Sequence, residues 1–330
     1  MNSSGRLVYW NGKFVDESEA RVSIYDSALM FGDMVFEMTR SFNGKQFKLK
    51  EHIERLLNGV KILRIPLQMT AKEIEKACYE TMEANQPSFA ADDEHRLMID
   101  VTRGLLGIYQ GVVGPQSGPN FIIADFPLRW TVSSMTPLFE TGINAVVTSQ
   151  RALPAQLLDP KIKNRSRLHY LNANIQVSQV AGNNNWALLL DPDGFIAEGT
   201  GDNVFIIKDK CVITPEGRNI LRGVSRDYIL NELCPQLGYT AIEKNIDTYD
   251  MHTADEAFMS GTPFCLLPVT SLDGLPIGDG KPGPVTNHLL KAWGENVGVN
   301  IQEQIKSWSA PTSGEVVTPY SFKKASSTSK

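Results

Sequence analysis

The sequence predicts an α+β protein made of two unlike domains, and three observations carry that expectation. The chain has 330 residues, more than one core of ordinary size usually organises. Short runs of β-forming residues, bounded by turns such as Asn11-Gly12 and Asn43-Gly44, alternate with segments whose apolar residues recur every three or four positions. Between two such mixed regions lies a stretch without period, Pro127 to Pro137. The expected division is a small α/β domain over 1–126, a linker over 127–137, a larger domain over 138–308 and a flexible Ser/Thr/Lys-rich tail over 309–330.

The elements follow in order. Residues 7–10, the Asn11-Gly12 turn and 13–15 read as a hairpin, since Asn-Gly suits a type I′ turn. Residues 22–25 and 34–42 are rich in β-formers, and Asn43-Gly44 turns the chain back before 46–48. Ile53, Leu56, Leu57, Val60 and Leu63 then mark an amphipathic helix, and Thr70 reads as the N-cap of a second one. Strands are expected at 96–102 and 120–126. Beyond the linker come a strand at 143–148, a largely helical stretch over 161–180 after Pro160, and a meander over 186–208 that turns at Asp191-Pro192-Asp193-Gly194. Helix 225–236, strand 256–259 and a final helix over 285–297, opened by Pro284, complete the expectation.

Composition narrows the function classes. Hydrophobic residues make up 42% and charged residues 21%, the balance of an ordinary globular protein, and the net charge of −5 argues against a nucleic-acid binder. The four cysteines have no CxxC spacing and the five histidines form no HExxH pair, so no protein-bound metal is expected. The first dozen residues lack a signal-peptide core, and no apolar run approaches membrane-spanning length. A cytoplasmic enzyme without membrane partners is the expectation.

Several segments have the character of a ligand site. Lys163 stands between a strand and a helix; a lone lysine is ordinarily a solvated charge, so its weight depends on partners downstream. Glu198 precedes Gly199-Thr200-Gly201, where glycines let the backbone approach a ligand; the plain alternative is a surface glutamate. Gly223-Val224-Ser225 opens a helix, and free N–H groups there suit a phosphate, although an ordinary N-cap has the same appearance. Ser260-Gly261-Thr262 ends a strand in small polar residues, as a turn also would.

Taken in order, these segments resemble the fold type IV pyridoxal-phosphate-dependent aminotransferases, the family of branched-chain, D-amino-acid and (R)-amine transaminases. The resemblance runs from near the start to about residue 300. It rests on FGDMVFE (31–37), KEHIERL (50–56), VTRG (101–104), DPKIKN (159–164), AEGTGDNVF (197–205), LRGVSRD (221–227), DEAFMSGT (255–262) and GPVT (283–286). It implies that 138–308 is the cofactor-binding domain. It implies that Lys163 carries pyridoxal 5′-phosphate as an imine and later moves the substrate proton, and that Glu198 keeps the pyridine nitrogen protonated. Arg55, Val224, Ser225 and Thr262 are the implied phosphate contacts, with Arg55 offering bidentate donors. A homodimer is implied as well, and the partners are a small amino donor and a keto-acid acceptor.

The chain also departs from the branched-chain pattern. Phe31 stands where that group has a tyrosine, Leu168 replaces the tyrosine five residues past the lysine, and Pro263 removes an N–H that holds the substrate carboxylate. Tyr109 takes the place of a loop arginine of the (R)-amine enzymes. Arg40 and Arg129 are the candidate substitute carboxylate binders. Phe31, Phe36, Met38, Tyr109, Trp130, Pro263 and Phe264 are the candidate pocket residues, with ordinary core packing as the competing account. Transamination of a branched-chain-like amino acid is the leading expectation, with an (R)-amine or D-amino-acid transaminase as runner-up. A lyase resembling the aminodeoxychorismate lyases and a non-catalytic binding protein are the remaining readings.

Overall fold

Leu7–Trp10 (β1) turns at Asn11-Gly12 into Lys13–Asp16 (β2), with Asn11 and Gly12 both at positive φ, as the hairpin turn requires. The computed structural model describes residues 5–109, 111, 118–182 and 184–309; the expected tail, apart from Ser309, lies outside the described residues. Two units are present. The first takes the chain up to Trp130 together with Pro160–Arg167 and Val297–Val299; the second takes Thr131–Asp159, Leu168–Asn296 and the chain from Asn300 onward.

In the first unit, Met34–Met38 (β3), His95–Thr102 (β6) and Asn120–Pro127 (β7) join the hairpin in an antiparallel sheet ordered β2-β1-β7-β6-β3. Ser41–Phe42 (β4) and Lys45–Gln46 (β5) form a separate small hairpin. Helix Leu49–Ile62 buries Leu49, His52, Ile53, Leu56, Gly59 and Val60, the three- and four-residue stripe that its sequence shows. Helix Ala71–Asn85 starts with a complete Thr70/Glu73 capping box. Both helices pack with Val35, Leu97, Ile99, Val101, Phe121 and Ile123 of the sheet. Truncating Leu56 there to alanine would cost about 2–5 kcal/mol.

The β-formers at 22–25 do not make a strand. Asp26 caps helix Ser27–Phe31 through Ala28 N–H and accepts hydrogen bonds from Thr102 and Asn120, so the chain bends, and Ile24 is left 69% exposed. Nor does the helix expected over 161–180 start at 161: it spans Leu168–Val177. Residues 160–167 instead lie along β3. Phe36 N–H donates to the Lys163 carbonyl at 2.9 Å, and Val35 bridges Asn164. An edge strand offers unpaired backbone groups, and this segment takes them. The lysine segment therefore belongs to the first unit, where the sequence division placed it in the second.

Along the expected linker and just beyond it, Arg129–Val132, Ser133–Met135 and Thr136–Thr141 are successive helical turns. In the second unit, Ile143–Arg151 (β8), Asn185–Leu190 (β9), Ile196–Gly199 (β10), Asn203–Lys208 (β11), Cys211–Thr214 (β12), Ala241–Glu243 (β13), Glu256–Gly261 (β14), Cys265–Leu272 (β15) and Leu275–Pro276 (β16) share one sheet. β10, β9, β8, β15, β14 and β11 close on themselves, because β10 pairs both β9 and β11. Closure removes sheet edges and fixes register around the ring. Helix Leu168–Val177 packs Ala173 and Val177 against Val146, Ala187, Leu189 and Ala197. Helix Pro284–Val297 is not the last, since Ile301–Ser307 follows it.

Candidate active site

In the first unit, pairing along β3 brings Lys163 to the ring of Phe36, its Nζ 4.9 Å from the ring centroid. The next residue, Glu37, is fully buried and grips Arg55 bidentately: Nε donates at 2.6 Å and Nη2 at 2.8 Å. His52 Nδ1 lies 2.8 Å from the same carboxylate. Burial opposes charge on Glu37, yet Arg55 and His52 hold its carboxyl well below the ordinary carboxylate value. Burial also pushes His52 below its ordinary value against the pull of Glu37, with Arg55 and Lys163 adding to the shift. His52 is therefore the neutral Nδ1–H donor, and Glu37 the anion, of a buried His52–Glu37–Arg55 group. The bidentate edge that the sequence reading gave to a phosphate belongs to Glu37.

In the second unit, Glu198, Asn203 and Ser260 stand directly opposite one another across β10, β11 and β14, so their side chains share a face. Glu198 is 4% exposed. Tyr170 donates to its Oε1 at 2.6 Å; Leu221 N–H at 3.0 Å and Asn203 Nδ2 at 3.3 Å donate to Oε2. Three neutral donors fix the orientation of this carboxylate. Asn203 also donates to the Leu221 carbonyl at 2.9 Å and packs so closely over Gly223 that a Cβ there would collide with it. Gly223 thus sets the start of the helical path 224–236, which opens without a side-chain cap and with Val224 and Ser225 as its first residues. Its leading N–H groups are the kind that take a phosphate. Ser260 Oγ is buried with no hydrogen-bond partner among the described residues, and Thr262 follows it at the end of β14.

The remaining candidates divide. Phe36 lies at the lysine and Met38 ends the same strand, where Arg96 Nη2 approaches its sulfur at 3.7 Å. Arg40 is 1% exposed, with its guanidinium over the Phe42 ring at 3.7 Å. Arg129 is paired with Asp92 at 2.7 Å and with Asp93. Neither arginine is presented as a substrate carboxylate binder. Phe31 is exposed, Tyr109 rests on Tyr25 at 5.0 Å, and Trp130 lies against Phe126 and Arg6. Phe264 is core, packed edge-on against Trp186 at 5.7 Å. Pro263 sits in the turn between β14 and β15. Sequence reasoning missed Glu37, His52, Tyr170 and Asn203. Glu37, His52 and Asn203 do lie inside the strings that carry the resemblance, but nothing in spacing separates a buried partner from a surface side chain. Among the described residues no cluster of three or more His, Cys, Asp or Glu is placed to hold a metal ion.

Known proteins resemble the chain over most of its length. The family description for class IV amino-transferases matches residues 34–272. A protein of Methanocaldococcus jannaschii is 37% identical over 284 residues, 86% of this chain and 93% of that one. The crystal structure of the Escherichia coli branched-chain amino acid aminotransferase superposes with a TM-score of 0.79 at 27% identity, covering 96% of this chain and 100% of that one. The branched-chain amino acid aminotransferase from Thermobaculum terrenum, in its PLP-bound holo form, does so with a TM-score of 0.76 at 26% identity, covering 93% and 98%. The chain belongs to the class IV aminotransferases.

Proposed function

We propose that this aminotransferase moves the amino group of a branched-chain amino acid to a 2-keto acid, with pyridoxal 5′-phosphate held by Lys163. The observation that carries the cofactor reading is Glu198, a buried carboxylate fixed by Tyr170, Asn203 and Leu221 N–H. The helix start at Val224, without a side-chain cap, and the Ser260 hydroxyl, which has no partner among the described residues, fit the phosphate end of such a group. The names of the relatives supply the substrate class and do not favour the amine, D-amino-acid or lyase readings.

Pyridoxal phosphate, when bound, supplies an electron sink for the pair left as the substrate Cα–H bond breaks. The chain's own residues do the rest. Lys163 Nζ takes the proton from the substrate Cα, which requires the neutral amine; Phe36 covers it from water on one side. Glu198 would hold a proton on the ring nitrogen, its carboxylate oriented for that task by its three donors. Val224 and Ser225 N–H and the Ser225 and Thr262 hydroxyls would hold the phosphate; Arg55, whose plane Glu37 fixes, is the further phosphate contact that the family resemblance implies.

The test is an absorbance scan of protein purified with pyridoxal phosphate, followed by addition of L-leucine and then 2-oxoglutarate. A yellow protein bleached by leucine and restored by the keto acid is the expected result; a colourless one, or one unmoved by leucine, sinks the proposal. We further propose a cytoplasmic homodimer. The exposed apolar side chains Ile24, Leu29, Met30 and Phe31 support pairing with a second copy. Sedimentation giving an active monomer would contradict it.

A further inference from the structure

Arg165 and Arg167 were not among the candidate site residues, yet both turn to the ring that Lys163 faces. The Arg165 guanidinium lies 3.7 Å, the Lys163 Nζ 4.9 Å and the Arg167 guanidinium 5.7 Å from the Phe36 centroid. Alternate residues of the segment laid along β3 thus converge on one side chain. Arg165 is pinned twice, by the ring and by Asp100, whose Oδ1 it meets at 3.1 Å. Asp100 stands directly opposite Phe36 in the β3–β6 pair, so ring and carboxylate form one platform for the guanidinium. The Arg165 side chain remains 32% exposed, whereas Arg40 is sealed in the core and Arg129 is paired to two aspartates.

The Arg165 and Arg167 guanidiniums beside one buried ring repel one another, and an anion placed between them relieves that repulsion while gaining charge-assisted hydrogen bonds. A planar guanidinium held by stacking and a counter-ion is already oriented for a carboxylate, so little side-chain entropy is lost on binding. We infer that Arg165 and Arg167 form the subsite that receives a substrate carboxylate beside the reactive lysine. This rests on the reading of Lys163 given above. It also answers Pro263, which offers no N–H for that carboxylate. Asp100 is a positioning residue here: it sets the plane of Arg165 and does not touch substrate.

The experiment uses the cofactor-loaded enzyme and single-turnover absorbance changes with L-leucine, which has one carboxylate, and L-glutamate, which has two. Arg165→Gln, Arg167→Gln and the two lysine variants are compared with wild type. In each glutamine variant the apparent dissociation constant for amino acid should rise at least roughly tenfold, with the limiting rate moving less, and lysine should recover part of the loss. A rise for both amino acids identifies the α-carboxylate as the ligand, and a rise for glutamate alone identifies the side-chain carboxylate; either supports the subsite. Dissociation constants within about twofold of wild type overturn it, as does a fall in limiting rate and cofactor occupancy with unchanged constants. Borohydride reduction and peptide mapping separate the two readings. Wild-type protein without pyridoxal fixed on Lys163 overturns both, whereas correctly labelled variants with unmoved constants overturn the subsite alone.

Discussion

The first unit and the second hold their functional groups by different physics. Around Lys163 the first unit gathers side chains from three distant segments: Glu37 and Phe36 on β3, His52 and Arg55 on a helix, and 163–167 along the strand edge. Around Glu198 the second unit uses strand register and neutral donors, with Asn203 and Ser260 in the same row and a glycine admitting the helix start. A site built on register is rigid because moving one member moves the ladder. A site built on buried ion pairs depends on each partner, because removing one leaves the other charged in a poor solvent.

That contrast breaks most sharply at Lys163. Lys163→Ala should lower turnover by at least roughly 10³ while leaving the thermal midpoint near that of wild type, because the segment is held by backbone bonds to β3. Activity retained in this variant would direct attention to Lys161. Glu198→Gln comes next, with an expected loss of roughly 10²–10³ in the single-turnover rate and retained cofactor, since the amide oxygen can still accept from Leu221 N–H and Asn203 while the charge is lost. An unchanged rate would remove Glu198 from the chemistry.

Glu37→Gln should act on stability, by about 3 kcal/mol in urea or thermal unfolding, because it strips the buried counter-charge from Arg55. The sign with pH follows from the depressed Glu37 carboxyl. Its contribution is fully present above the ordinary carboxylate value, about 4.5, and is lost as pH falls through the lower folded value. His52, also depressed, adds acid sensitivity of the same sign beginning near its ordinary value of 6.5. The variant should therefore lose stability less steeply than wild type below about pH 4.5; parallel curves would refute the ionised-pair account. Smallest of all, Ser225→Ala should weaken pyridoxal phosphate binding about fivefold by titration, since one hydroxyl among several phosphate donors is removed. No change would leave the backbone N–H groups as the whole of that contribution.

The parts of this arrangement that were legible in the sequence are local. The Asn11-Gly12 hairpin, the Thr70 cap and the stripe Ile53, Leu56, Val60 need only neighbouring residues to act, so their pattern is visible in one dimension. The β-formers at 22–25 misled because Asp26 makes caps and buried hydrogen bonds that outweigh propensity. The stretch 161–167 misled because an edge strand competed for its backbone. Cys265–Leu272, a central strand, was missed where Pro263 and Pro268 weaken its signal.

By itself, then, the sequence determined the family, the reactive lysine candidate and the kinds of element, because motif order and periodicity are written along the chain. Only the tertiary structure decided which side chains serve which charge. Glu37 became the partner of Arg55, Arg40 and Arg129 were withdrawn to Phe42 and the aspartates, and Arg165 and Arg167 came to the lysine's ring. Ion pairing and desolvation depend on separations in space and on burial, and neither quantity is set until strands from distant parts of the chain have paired.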